Sequence, residues 1–156
     1  MLTIAALLVA CVPQCTDPAT PPGGFSLASS IDQLFTFSAG ATTRADVRRP
    51  SAGAGACGWP MLVLVHGIGG NKASLSGTAQ SFAAQGYFTL TFDVRGHATH
   101  TGGHTYFGQR ERFDQMELMR WAMAAFASVA DGSRIGVNGA SQGGIHAWQA
   151  AAWSGA

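Results

Sequence analysis

A chain of 156 residues with 47% apolar and 11% charged side chains has room for one compact domain and too much to bury for a disordered tail. Its formal charge of +1 is spread over scattered single residues, so there is neither a basic stripe for nucleic acid nor an acidic tail. No nucleic-acid partner is expected, and electrostatics name no other.

Residues 2–10 form an apolar run of the length of a signal-peptide core, too short to cross a bilayer as a helix. Residues 1–11 therefore read as an export signal. Leu8-Val9-Ala10-Cys11 resembles the lipobox of bacterial lipoproteins, where the peptide is cut before a cysteine that carries the lipid, although the usual basic flank is absent. Two destinations stand: the bacterial cell envelope, with a membrane tether at Cys11, or plain secretion. Residues 12–24, VPQCTDPATPPGG, have little to bury and read as an extended linker to a domain over 25–156. Cys15 and Cys57 then remain as an even pair, compatible with a disulfide in an oxidising compartment; their spacing does not say whether they meet.

Within the domain, residues 34–38 and 43–48 alternate apolar and polar positions and predict two strands, followed by a Gly/Ala-rich loop over 51–58. The unbroken apolar run 61–65 is that of a strand buried on both faces of a parallel sheet. It stops at His66-Gly67-Ile68-Gly69-Gly70. A helix is predicted over 74–85, with Leu75 and Phe82 inward and Gly86 as its stop. A second buried strand, 87–92, ends in Asp93, and a loop rich in Gly and His leads to a helix over 111–128. There Phe113, Met116, Met119, Met123 and Phe126 recur at intervals of three and four and predict the inward stripe. Residues 134–138 predict a third short strand, Gly139 its exit, and a last helix runs from 141 or 142 to about 153. Trp121, Trp148 and Trp153 are expected in the core. Alternating strands and helices at these spacings predict an α/β domain with a mostly parallel sheet and helices on both faces.

Gly139-Ala140-Ser141-Gln142-Gly143 fits G-x-S-x-G, a short pattern that carries weight only through its setting between a strand and a helix. That setting is what a nucleophile elbow needs, with small residues two before and two after a serine presented at the sheet edge. Ser141 is thus the candidate nucleophile; the plainer reading is a glycine-rich turn with an N-capping serine. The His66–Gly70 loop supplies close backbone approach, so the N–H groups of Ile68 and Gln142 are the candidate oxyanion donors. A phosphate cradle is the other use of such a loop, but the Gly-Lys-Ser/Thr ending and the dinucleotide spacing are missing. His66 reads as a structural residue at a strand end. His97, His100 and His104 invite a metal reading, but that of a polar loop at the carboxyl edge of the sheet is stronger; no metal and no cofactor is assigned. Asp93, Arg95, Glu111 and Asp114 read as an electrostatic brace between that loop and the next helix.

Three blocks, MLVLVHGIGG, FTLTFDVRGH and RIGVNGASQGG, together resemble the α/β hydrolases in order and interval, over the chain from about Arg44 onward. Within that family, Asp93-Val94-Arg95-Gly96 followed by Glu111, Asp114 and Trp121 is most similar to the X-prolyl dipeptidyl peptidase and cocaine-esterase branch. Gln142, where that branch has tyrosine, and the HGIGG loop are more like general esterases and lipases. The resemblance implies a serine hydrolase of small-molecule esters or amides, working through an acyl-enzyme without a cofactor. It also implies an acid and then a histidine after the nucleophile, whereas only His146 and no carboxylate follow Ser141. The expectation is therefore a partial α/β-hydrolase fold, truncated after the elbow helix, with acid and base supplied beyond Ala156. Such a chain alone would be nearly inactive, with the outer edge of its last strand unpaired. The rival reading is a non-catalytic, membrane-tethered binding module or an inactive fragment on the same fold.

Overall fold

The computed structural model describes residues 15–153, and Cys11 with its proposed lipid lies outside them. In chain order the elements are β1 (Leu27–Thr36), β2 (Thr42–Pro50), β3 (Trp59–Val65), a 3-10 turn (Lys72–Leu75), α1 (Ser76–Ala84), β4 (Phe88–Phe92), α2 (Gln109–Ala125), β5 (Ala130–Gly139) and α3 (Gln142–Trp153). The five strands form one sheet in the order β1-β2-β4-β3-β5. β1 pairs with β2 and β2 with β4 antiparallel, whereas β4–β3 and β3–β5 are parallel. The sheet is thus mixed: an antiparallel hairpin is joined to the parallel part that the valine-rich runs predict.

This order places the site. From β3 the chain moves one way to reach β4, then back past β3 to reach β5. Right-handed crossovers put α1 and α2 on opposite faces under those two moves. α3 packs beside α2, so neighbouring strands β3 and β5 are followed by helices on opposite faces. The carboxyl ends of these two strands form a switch point, the place where open α/β sheets carry their sites. The His66–Gly70 loop and Ser141 both leave the sheet there.

β1 is longer than predicted and starts earlier, because pairing with β2, rather than burial, holds it as an exposed edge. β5 also starts earlier, at Ala130. Its Asp131-Gly132-Ser133 stretch is an irregularity within the strand, where Asp131 Oδ1 accepts from Ser133 N–H and Oγ–H at 2.8 and 2.6 Å. Residues 15–24 are irregular but docked. Cys15 and Cys57 form a disulfide, Asp17 makes two contacts with the Arg134 guanidinium at 2.6 and 2.9 Å, and Phe25 packs edge-on against buried Trp59.

The inward stripe predicted for α2 is displaced. Its buried residues are Glu111, Asp114, Gln115, Leu118, Met119 and Ala122, whereas Phe113 is exposed. The two stripes lie roughly 100° apart around a helix of 3.6 residues per turn. Hydrophobicity misleads here because this helix turns carboxylates inward. Of the predicted stripe, Met119 is buried and Met116, Met123 and Phe126 pack partly buried against the core; the three methionines also line a cleft of about 330 Å³ with Ile135 and Val137 of β5 and Ala147 and Ala150 of α3. Leu75 and Phe82 are half-buried, with Ala79 and Ala83 taking the deepest positions on α1. Trp121 packs against Phe35 and Phe126, but Trp148 is 80% exposed on α3 and not in the core.

Candidate active site

Ser141 stands between β5 and α3 at φ +55°, in the left-handed region that non-glycine residues avoid, and its side chain is open to solvent. The glycines on either side explain how the turn is enforced. A Cβ at Gly143 would lie 2.0 Å from the Val65 carbonyl oxygen, and one at Gly139 would lie 2.5 Å from the Gly143 carbonyl carbon and 2.6 Å from Val65 O. Strand, turn and helix therefore meet backbone to backbone. Gly67 adjoins the serine on the other side at ordinary contact distance, its missing Cβ 3.4 Å from Ser141 Cβ and 3.9 Å from Oγ.

Each loop around the serine is held by buried polar groups. His66 lies at the end of β3, with Nδ1 2.8 Å from Gly67 O and Nε2 accepting from Val94 N–H at 3.1 Å. Burial holds its pKa below the ordinary 6.5, so it is a neutral clamp with both nitrogens engaged, the structural role its position predicts. Asp93 Oδ1 accepts from Lys72 N–H at 2.7 Å, and Oδ2 accepts from Thr99 N–H and Oγ1 at 3.2 and 2.6 Å. One carboxylate thus joins the segment after β3 to the loop after β4. Lys72 is itself fixed between Asp32 and Asp46 at 2.6 and 2.8 Å; burial would lower its pKa, but the two carboxylates outweigh that and raise it.

The predicted brace is present, with its members divided between tasks. Arg95 grips Asp114 through Nε and one terminal nitrogen at 2.6 and 3.2 Å, the two-point geometry that suits guanidinium to carboxylate. Burial alone would raise the pKa of Asp114; its contacts with His100 and Arg95 lower it. Glu111 turns to the next loop, accepting from Thr105 N–H and Oγ1 at 2.7 and 3.0 Å and from Phe107 N–H at 3.0 Å. Those bonds outweigh its burial and hold its pKa below the usual value.

The three loop histidines go separate ways: His97 Nδ1 to Arg95 O at 3.1 Å, His100 Nε2 to within 3.3 Å of Asp114, and His104 to Gln142. The Gln142 side chain is a participant that sequence reasoning passed over. It is buried, with Nε2 3.0 Å from His104 Nε2 and 3.5 Å from both Glu111 Oε2 and His146 Nε2. His146 is also buried, 3.4 Å from Glu111, and burial holds its pKa low. The signal in the sequence is spacing, since Gln142 and His146 share a face of α3 one turn apart. Among the described residues, no histidine hydrogen-bonds Ser141 Oγ, and the N–H groups of Ile68 and Gln142 have no acceptor. A serine exposed at such a turn can attack a carbonyl, provided a base takes its proton.

The sequence matches the family model described as alpha/beta hydrolase fold over residues 60–153. Among curated proteins it is 35% identical over 104 residues to quorum-quenching protein AidA of Acinetobacter baumannii (strain MDR-ZJ06), an alignment covering 60% of this chain and 31% of that one. Similar solved structures include a CocE/NonD family hydrolase from Staphylococcus aureus, at TM-score 0.62 and 21% identity over 80% of this chain and 25% of that one. An acetyl xylan esterase from Paenibacillus sp. R4 superposes at TM-score 0.61 and 22% identity, covering 81% and 49% respectively. The chain therefore spans about a third of its curated relative and at most half of these structures. By sequence and by fold, it belongs to the alpha/beta hydrolase family.

Proposed function

We propose that Ser141 is the nucleophile of an acyl hydrolase acting on a small-molecule ester or amide. The observation that carries this is the backbone of Ser141, held at φ +55° and exposed by two glycines packed against β3. An N-capping serine needs no such strain, since cap residues take extended backbone. Oγ attacks the acyl carbon, the N–H groups of Ile68 and Gln142 hold the oxyanion, and the alcohol or amine departs; water then releases the acid. Esterase and hydrolase names among the similar structures favour the same chemistry.

The proton of Ser141 needs a base, and none of the five histidines bonds to it. Acid and histidine would come from sequence beyond Ala156. This chain by itself should therefore react slowly, by about 10⁴-fold or more relative to a complete triad. The same observation favours a second reading, a binding module that uses the fold without turnover. The Cys15–Cys57 disulfide supports export to an oxidising compartment, whether secreted or tethered through Cys11.

The test is covalent labelling by methanesulfonyl fluoride, followed by intact and peptide mass measurement, with and without added imidazole as an external base. A single adduct at Ser141, accelerated by imidazole and absent from Ser141→Ala, supports the proposal. No adduct at Ser141 under either condition overturns it, and rapid stoichiometric labelling without imidazole would show that a base is already in place.

A further inference from the structure

The turn at residues 105–107 is held in a conformation that its own residues oppose. Tyr106 and Phe107 stand at φ +50° and +69°, where a side chain is strained and consecutive non-glycine residues are rare. Neither glycine nor asparagine is used, and Tyr106 is 76% exposed, so its ring gains little burial in return. The turn is imposed from outside. Glu111 of α2, itself buried, accepts from the N–H groups of Thr105 and Phe107 and from the Thr105 hydroxyl, and Gln149 of α3 donates Nε2–H to Phe107 O at 2.9 Å. A buried carboxylate is tolerated only when hydrogen-bonded, so the charge and the strained turn support each other.

What the turn presents is an exposed aromatic ring, linked through His104 to the residue that follows the serine. The Tyr106 ring packs edge-on to His104 at 4.3 Å, and His104 meets the Gln142 amide at 3.0 Å, one residue from Ser141. His104 lies 5.1 Å from His97, and His97 5.1 Å from His66. This row of rings runs from the end of β3 to the exposed Tyr106. Ile68, 60% exposed, stands in the oxyanion loop itself. Two exposed side chains with apolar surface, Ile68 and Tyr106, thus accompany a site whose deeper groups are polar. Strain of this kind gathers where a fold must present a group.

We infer that Tyr106 is a specificity-determining residue of the Ser141 site, its ring packing on an aromatic or alkyl group of the ester or amide substrate, with Glu111 as the positioning residue that holds the turn. The inference rests on the acyl-transfer reading above. It is tested with two sulfonyl fluorides that differ by one phenyl group, phenylmethanesulfonyl and methanesulfonyl fluoride, with imidazole as base. In both, the Oγ–S bond forms, the S–F bond breaks, fluoride leaves and imidazole takes the serine proton. The ratio of the two labelling rates should exceed the ratio of their reactions with imidazole alone. Tyr106→Ala should lower that ratio about tenfold, the scale of one aromatic contact. Tyr106→Phe should retain it, and Glu111→Gln, which keeps the volume but loses acceptors, should lower it in the same direction. If Tyr106→Ala slows both reagents equally, or neither, the inference is wrong.

A second readout does not need Ser141 to react. In Ser141→Ala, the Tyr106 ring resonances should shift on titration with N-benzylacetamide and not with acetamide. No shift overturns the inference; a shift in a protein whose Ser141 never labels supports it and leaves the nucleophile reading as the one that failed.

Discussion

Replacing Gly143 by alanine sets two opposite effects against each other at one methyl group. The residue lies in the first turn of α3, where alanine is favoured over glycine by about 1 kcal/mol on helix propensity alone. The new Cβ, however, would sit 2.0 Å from Val65 O, 2.8 Å from Val65 C and 3.1 Å from His66 O. All three atoms are backbone of β3 and its exit, and β3 is bonded on both sides, to β4 and β5. No side chain can rotate away, so helix and strand must part by roughly 1 Å, a displacement for which overpacking costs about 3 kcal/mol. The net is a destabilisation of about 2 kcal/mol, which lowers the urea midpoint by about 1 M for an ordinary dependence on denaturant. Gly77→Ala is the control. Gly77 is exposed on α1 with nothing within 4 Å of its Cβ position, so the propensity gain should appear alone, as a midpoint about 0.5 M higher. Parting β3 from α3 also widens the gap between Gly67 and Ser141, so sulfonylation of the Gly143→Ala protein should slow. A midpoint at or above that of the parent protein would refute the close-contact account of the elbow.

Reduction of the Cys15–Cys57 disulfide frees a loop of 42 residues, which on chain entropy is worth about 4 kcal/mol. Calorimetry with and without a phosphine reductant should show the melting temperature falling by about 10 °C; an unchanged value would mean that residues 15–24 contribute nothing to the fold. Stability should also fall with acid in two stages. His66 and His146 have folded pKa values below 6.5, so the unfolded chain binds more protons and stability declines as pH drops below about 6.5. Asp131 is held down to about 2 by Ser133 and Arg134, and Glu111 and Asp114 are lowered as well. Their stabilisation is complete above the unfolded carboxylate range and is lost as pH falls from about 4 toward 2. Urea midpoints measured from pH 7.5 to 3 check both stages, and a flat profile between pH 7 and 5 would contradict the buried neutral histidines.

Strands β3 and β4 were legible because both are largely buried on both faces: 61–65 is an unbroken apolar run, and in 88–92 even Thr89 and Thr91 lie inside. The elbow was legible for a related reason: its glycines are dictated by backbone contacts, and no other residue fits them. The inward face of α2 was legible only in part, through Met116, Met119, Met123 and Phe126. Its buried set includes Glu111, Asp114 and Gln115, and a hydrophobicity pattern assigns carboxylates to solvent unless their partners are known. Those partners are Arg95, Thr105 and Phe107, in a loop whose conformation no periodicity describes. Trp148 failed in the opposite sense, since its size predicts burial while its position on α3 leaves it 80% exposed.

Strain gives the clearest link between these misses and the site. Among the described residues, five that are not glycine have positive φ, and four of them, Ala98, Tyr106, Phe107 and Ser141, lie in loops leaving the carboxyl ends of β4 and β5. Each costs about 1 kcal/mol or more, so a sheet edge serving stability alone would place glycine or asparagine there. Ser141 is compensated by the contact of Gly139 and Gly143 with β3, and the 105–107 turn by the Glu111 carboxylate. The compensating groups lie beneath the strained ones and are buried; the strained ones carry the hydroxyl and the ring that face solvent. The buried polar face of α2 thus has a physical reason: it holds the carboxylates that keep this edge in a conformation the chain would otherwise leave.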